Sequence, residues 1–137
     1  TAIYEPIPLK DLKDAKLEAA AGFYFAKVLP GFPVTLNGNA ETLQLRNSED
    51  RTNWFGVLAR AQIAQTAGQG AADYYPPIRT TSNARYTITN DEAVAIMTDL
   101  LDWAGQVFDA YTLIKDAIAG ASNAATVNAV DLEAGYP

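Results

Sequence analysis

Apolar residues recur along the chain at two different periods, and the changes between them mark the predicted elements. From Leu9 to about Val28 they return every three or four residues, the period of an amphipathic helix, until a Pro-Gly pair ends the pattern. Short β-prone runs at 34–36 and 42–45 then flank Asn37-Gly38-Asn39. Asn-Gly between such runs is a strong hairpin signal because both residues tolerate positive φ. The first third therefore predicts a helix followed by a β-hairpin.

The middle of the chain predicts a second helix followed by a second β-hairpin. Asn47 or Ser48 can cap a second helix, and Gly68 is a plausible residue to end it. Residues 68–77 are expected to form a loop, and residues 78–88 a second short hairpin with its turn near Asn83.

A long amphipathic helix is predicted for the last third. Thr89 and Glu92 fit a capping box, and helical periodicity continues from there to about Ala119. Ser122 is then predicted to cap a short helix that reaches Leu132.

The order of elements predicts an α+β fold. Pro6 and Pro8 favour an extended arm over residues 1–8. No repeat or linker divides the remainder, so residues 9–137 are predicted to form a single α+β domain in which three to four helices pack with two short antiparallel β-hairpins.

The apolar arc of the long helix is wider than packing on one side requires. It covers more than half of the helix circumference, whereas one-sided packing needs an arc of only about 100°. Two explanations stay open: other elements of the same chain cover the whole arc, or part of it forms an interface with another molecule. The candidate interface residues on this helix are Ile96, Leu100, Trp103, Val107 and Ile114.

Tyr74 and Tyr75 stand together in the predicted loop before the second hairpin. Such a pair could stack on a sugar or a proline-rich ligand, or it could simply pack over an edge of the core. Both tyrosines are therefore further interface candidates.

Composition removes several kinds of chemistry. The 137 residues include no His and no Cys, which excludes a Ser-His-Asp triad, a cysteine nucleophile and thiolate metal sites. The remaining carboxylates form no recognisable acid/base or calcium-loop pattern. We therefore predict no catalytic residue, metal or cofactor, and no enzymatic activity.

Charge limits the classes of partner. The net charge is −6, and the basic residues are scattered, which argues against a nucleic-acid partner. No uncharged apolar run approaches the roughly 18 residues that a membrane span needs. Residues 86–137 carry eight acidic side chains and a single basic one, Lys115. Several of these carboxylates line one face of the long helix, which is typical of a solvated face or of a docking surface for a basic partner.

The order of short motifs resembles a known kind of domain. The chain shows an L-x-x-L-K-x-A-K helix from Leu9, a V-x-x-N-G turn from Val34, and Leu-Arg-Asn-Ser-Glu-Asp at 45–50 before Trp54-Phe55-Gly56. A hairpin, a Thr-x-x-Glu-capped helix and a final Gly-Tyr-Pro at 135–137 follow. Nearly the whole chain thus resembles a small uncharacterised domain found in tailed-phage and prophage proteins, often encoded among tail, tail-fibre and baseplate genes.

This resemblance implies a non-enzymatic structural protein of the phage particle. The expected role is an adaptor associated with the tail, tail fibre or baseplate, made in the bacterial cytoplasm and incorporated in the virion as a homo- or hetero-oligomer with other phage structural proteins. The alternatives are a capsid decoration protein, an assembly chaperone absent from the finished particle, and a module that binds host glycans through Tyr74 and Tyr75.

Overall fold

The computed structural model of the chain describes residues 6–137. Residues 1–5 of the predicted arm lie outside the described residues, and residues 6–8 precede the first helix without regular secondary structure.

The described residues form four helices. Helix α1 spans Leu9–Val28, α2 spans Ser48–Thr66, α3 spans Asn90–Gly120 and α4 spans Ala124–Ala129. The Asn47 side chain caps α2 by accepting a hydrogen bond from the backbone N–H of Asp50 at 2.9 Å. Before α3, the hydroxyl of Thr89 accepts from the backbone N–H of Glu92 at 3.1 Å and donates to a Glu92 carboxylate oxygen at 3.2 Å, so the Thr89 half of the predicted capping box is formed.

Two antiparallel hairpins complete the fold. Strand β1 (Phe32–Leu36) pairs with β2 (Asn39–Leu43), and the intervening Asn37 and Gly38 have the positive φ values of 50° and 82° that the Asn-Gly signal predicts. Strand β3 (Ile78–Arg79) pairs with β4 (Arg85–Tyr86), joined by a turn in which Asn83 has φ 66°.

These elements confirm the predicted α+β class, with four helices and two small antiparallel sheets in the part of the chain from residue 6 onward. The last helix requires a correction. Asn123, not Ser122, caps α4 by accepting from the backbone N–H of Thr126, and α4 ends at Ala129, three residues before Leu132. Both side chains can cap a helix, so the sequence alone does not decide between neighbours.

Contacts within the described chain group it into two compact units. The hairpin unit comprises Lys27–Ala104, which holds both hairpins, α2 and the first half of α3. Its core includes the fully buried side chains Leu36, Leu43, Met97 and Leu100.

The helical unit comprises the described residues up to Ala26 together with Gly105–Pro137. It contains α1 almost entirely, the second half of α3, and α4. Its core is centred on Ala20, Ile114 and Ile118, against which Leu17 and Val130 pack. No helix in the described part of the chain combines the length and the hydropathy needed to cross a bilayer.

Candidate functional site

An apolar groove lies in the helical unit, between the second half of α3 and the segment that follows α4. Its volume is about 490 Å³. The lining residues are Gln106, Asp109, Ala110, Leu113, Ile114, Ala117, Val130, Asp131, Ala134, Gly135 and Pro137. The groove is therefore apolar along its floor and carries carboxylates at its margin.

The backbone after α4 explains why the groove forms here. At Val130 the chain becomes extended, with φ −64° and ψ 121°, so it leaves the helical path. Gly135 has φ 77°, and a Cβ at this position would lie 3.7 Å from the Cβ of Ala110, so the chain returns close to α3. The groove is the space between the segment 130–135 and α3, and the small residues Ala110 and Ala117 border it on the α3 side.

Leu113 is the most exposed large apolar side chain of α3. It retains 61% of its accessible surface while lining the groove. It lies four residues after Asp109 and three before Asp116, so it lies beside two carboxylates of the acidic face of the helix. Leu113 was not among the predicted interface residues, although a leucine between two such aspartates was the available signal.

The margin of the groove is negatively charged. An Asp131 carboxylate oxygen accepts from the backbone N–H of Glu133 at 3.0 Å. The ion pairs described within 4.0 Å are Lys10–Asp14 and Arg46–Asp50, so neither Asp109 nor Asp131 has a described cation at that distance. A ligand entering the groove thus meets an apolar floor and two carboxylates that no lysine or arginine neutralises by contact.

An aromatic cluster occupies another part of the helical unit. Tyr24 stacks on Tyr111 with ring centroids 4.6 Å apart and makes edge contacts with Phe25 and Phe108. Both phenylalanines remain largely exposed. Burial, together with the nearby Tyr111 and Tyr24, raises the pKa of Tyr136, so this phenol stays protonated at neutral pH.

The structure gives the predicted interface residues of α3 different surroundings. Leu100, Val107 and Ile114 are buried within the chain, and Ile114 also lines the apolar groove, so their role as contact residues stays a prediction. Ile96 and Trp103 are partly buried against the core of the hairpin unit, where Trp103 packs on Phe32 with ring centroids 5.8 Å apart. Neighbouring elements of the same chain thus cover much of the arc, whereas Phe108 remains largely exposed.

The two loop tyrosines also differ in how far they are exposed. Tyr74 is buried, its backbone N–H donates to the carbonyl of Ile88 at 2.8 Å, and the guanidinium of Arg60 lies 5.8 Å from its ring centroid. Tyr75 is exposed. Tyr74 therefore packs over the core edge, and the structure does not present the two rings together as a stacking platform.

A second, polar cavity of about 290 Å³ lies in the hairpin unit. Its lining residues are Gln44, Arg46, Asp50, Asn53, Trp54, Arg79, Thr80, Thr81 and Asn83. Arg46 binds Asp50 through its side chain and its backbone N–H, and these contacts lower the pKa of the Asp50 carboxyl. This cavity was not predicted from the sequence, because its residues come from two stretches, 44–54 and 79–83, that are 25 positions apart in the chain. No set of three His, Cys, Asp or Glu side chains between residues 6 and 137 is placed to hold a metal ion.

Comparison with known proteins identifies the family of the chain. No curated protein and no solved structure matches it. The model of one family, described as a domain of unknown function (DUF4376), matches residues 11–134. This match covers nearly the whole chain, including all residues of the polar cavity and all of the groove lining except Gly135 and Pro137. The chain therefore belongs to the DUF4376 family.

Proposed function

We propose that this chain is a non-enzymatic docking domain of a tailed-phage particle, and that the apolar groove of the helical unit receives a segment of a neighbouring structural protein. The observation that carries the proposal is Leu113, a large apolar side chain left 61% exposed beside a groove of about 490 Å³. Exposed apolar surface next to a concave site is typical of protein-binding sites.

Charge indicates which kind of segment the groove accepts. Asp109 and Asp131 flank the apolar floor, and the exposed Asp116 and Glu133 add to the same negative field. A segment with an apolar anchor and flanking lysines or arginines satisfies both features, because the anchor displaces water and the cations meet unpaired carboxylates.

A second copy of this chain fits the groove less well. In a symmetric dimer the same patch meets itself, so Asp109 and Asp131 would approach their own copies. Like charges brought together at an interface cost several kcal/mol, on the order of the gain from a small apolar contact. The charge pattern therefore favours a different, basic protein as the partner.

The assignment to a phage particle is supported by the sequence resemblance to domains of tail, tail-fibre and baseplate-associated proteins. An adaptor in such an assembly needs a docking surface and no catalytic constellation. The groove supplies the surface, and the absence of His and Cys from the sequence limits the catalytic chemistry that the chain could perform.

The test uses particles of the phage or prophage that encodes the chain. We expect quantitative mass spectrometry of purified particles to find the chain in a fixed ratio to the major tail protein. Cross-linking should join the groove segment 130–137 to a basic stretch of another virion protein. Absence of the chain from purified particles would contradict the adaptor role and favour an assembly chaperone.

A matched pair of variants tests the groove itself. Leu113→Glu places a charge in the apolar lining of the groove and should reduce incorporation into particles at least tenfold, whereas Phe55→Glu should leave it unchanged. Phe55 is a suitable control because it is a large apolar side chain, 56% exposed and on helix α2 of the hairpin unit. Normal incorporation of the Leu113→Glu protein would show that the groove is not the docking site.

A further inference from the structure

The polar cavity of the hairpin unit is not used by the proposed docking role. It is formed by residues that follow β2, the first turns of α2, Arg79 of β3 and the turn between β3 and β4. Every lining side chain except Trp54 is polar or charged. Its volume of about 290 Å³ lies at the lower end of the range for small-molecule sites, which suits a ligand of about one sugar ring.

One guanidinium in this cavity is held in place by a buried carboxylate. Asp50 accepts from Arg46 Nε at 3.0 Å, from Arg46 Nη2 at 3.1 Å and from the Arg46 backbone N–H at 2.8 Å. The side chain of Asp50 is only 9% exposed, whereas that of Arg46 is 52% exposed. Asp50 therefore fixes the guanidinium plane, and the Nη1 donors of Arg46 make no hydrogen bond within the described residues.

A second guanidinium lines the same cavity from the β3–β4 hairpin. Arg79 donates from Nη1 to the side-chain oxygen of Asn83 at 2.8 Å, and its remaining N–H groups make no described hydrogen bond. Two arginines and one aspartate give the cavity a positive charge in a chain whose net charge is −6. A guanidinium presents its donors as a planar fork that matches a carboxylate.

The other walls match a sugar rather than a bare anion. Trp54 donates its indole N–H to the carbonyl of Gln44 at 2.7 Å, so the ring is fixed and its remaining surface is apolar. The side-chain amides of Gln44 and Asn53 make no described hydrogen bond and offer donors and acceptors for hydroxyl groups.

From this arrangement we infer that the cavity binds a carboxylated sugar unit, of the uronic-acid kind. The carboxylate contacts the donors of Arg79 and Arg46, the hydroxyls contact the amides, and a C–H face of the ring lies against Trp54. This site is separate from the apolar groove, so a phage adaptor carrying it would bind an acidic polysaccharide independently of its protein partner.

The first experiment titrates the full chain with methyl glucuronide while NMR spectra record its backbone amides. We expect saturable shifts confined to residues 44–54 and 79–83. Methyl glucoside, which lacks the carboxylate, should bind at least tenfold more weakly, because a charge-assisted hydrogen bond contributes about that factor or more. Acetate and inorganic phosphate, which lack the ring, should also bind at least tenfold more weakly.

Two arginines of the same hairpin provide a matched pair of variants. Arg79 and Arg85 are directly paired across β3 and β4 and both are exposed, but only Arg79 lines the cavity. Arg79→Gln should weaken methyl glucuronide binding at least tenfold, and Arg85→Gln should change it less than twofold. Asn53→Ala, on the exposed surface of α2, should weaken binding about threefold without involving the hairpin.

Several results would overturn the inference. The absence of saturable shifts with methyl glucuronide would exclude the site. Equal affinity for acetate or phosphate would show a simple anion site that does not recognise a sugar. Equal losses in the Arg79→Gln and Arg85→Gln proteins would show attraction by general charge, and undiminished binding by Asn53→Ala would remove the proposed hydroxyl contacts. Incorporation of the chain into phage particles is measured separately, so these outcomes leave the docking proposal unaffected.

Discussion

Asp50 shows how a single side chain connects a loop to a helix. Its carboxylate accepts three hydrogen bonds from Arg46, and its backbone N–H is bound by the cap residue Asn47. The Arg46 side chain is the main cause of the lowered pKa of this carboxyl, while burial acts in the opposite direction. A carboxylate whose pKa is lowered in the folded state stabilises the fold at pH values above its unfolded pKa of about 3.9.

Asp50→Asn should therefore destabilise the protein at pH 7 by about 1–2 kcal/mol, the scale of hydrogen bonds to charged groups. The difference from the original protein should shrink as the pH falls below about 3.9 and through the lower folded pKa, because both proteins are then neutral at this position. Urea denaturation at a series of pH values measures this difference in the free energy of unfolding. A difference that does not change between pH 7 and pH 3 would contradict the role assigned to the charge.

At the scale of elements, the first hairpin depends on a glycine outside its turn. Gly31 precedes β1 with φ 90°, and a Cβ at this position would lie 2.6 Å from the backbone oxygen of Leu43. Gly68, after α2, also has positive φ (78°), but nothing lies within 4 Å of its Cβ position. A side chain at Gly68 would therefore meet backbone strain alone, whereas a side chain at Gly31 would meet the same strain and a steric clash with Leu43.

Gly31→Ala should destabilise the protein more than Gly68→Ala. The positive φ alone costs about 1–2 kcal/mol in either variant, and the contact with Leu43 adds to that cost only at Gly31. Chemical denaturation of both variants checks the order. Equal destabilisation would show that the backbone around Gly31 moves to accept the methyl group.

Helix α3 shows which parts of an element can be predicted from the sequence. Its start, length and acidic face depend on local signals, namely the Thr89 cap, the periodicity and Gly120, and the structure contains all of them. Which apolar residues remain exposed depends on the neighbours of the helix. Val107 and Phe108 are adjacent apolar residues of the helix, yet Val107 is buried and Phe108 is largely exposed.

At the scale of the whole molecule, the order of elements could be predicted and the two cavities could not. The element order follows from turns, caps and periods that are each encoded within a few residues. The groove joins α3 to the segment after α4, and the polar cavity joins residues 44–54 to residues 79–83. Such sites depend on contacts distant in sequence, on which local patterns carry no information.

The division into two units predicts different local responses to core mutations. Ile118→Ala removes a fully buried side chain from the helical unit, and Met97→Ala does so in the hairpin unit, each at a cost of about 2–5 kcal/mol. We expect hydrogen exchange to accelerate mainly in α4 and the second half of α3 for Ile118→Ala, and mainly in the hairpins and α2 for Met97→Ala. Mass spectrometry of peptides from both variants measures this. Even acceleration along the whole chain in both variants would show that the units open together.

The positions of the two tryptophans have a practical consequence for such measurements. Trp54 and Trp103 both belong to the hairpin unit, whereas the helical unit contains tyrosines but no tryptophan. Indole emission therefore reports mainly on the residues between 27 and 104. Early melting of α4 and the segment after it would change an unfolding curve recorded by tryptophan fluorescence little, and following it requires a tyrosine signal or an added fluorophore in the helical unit.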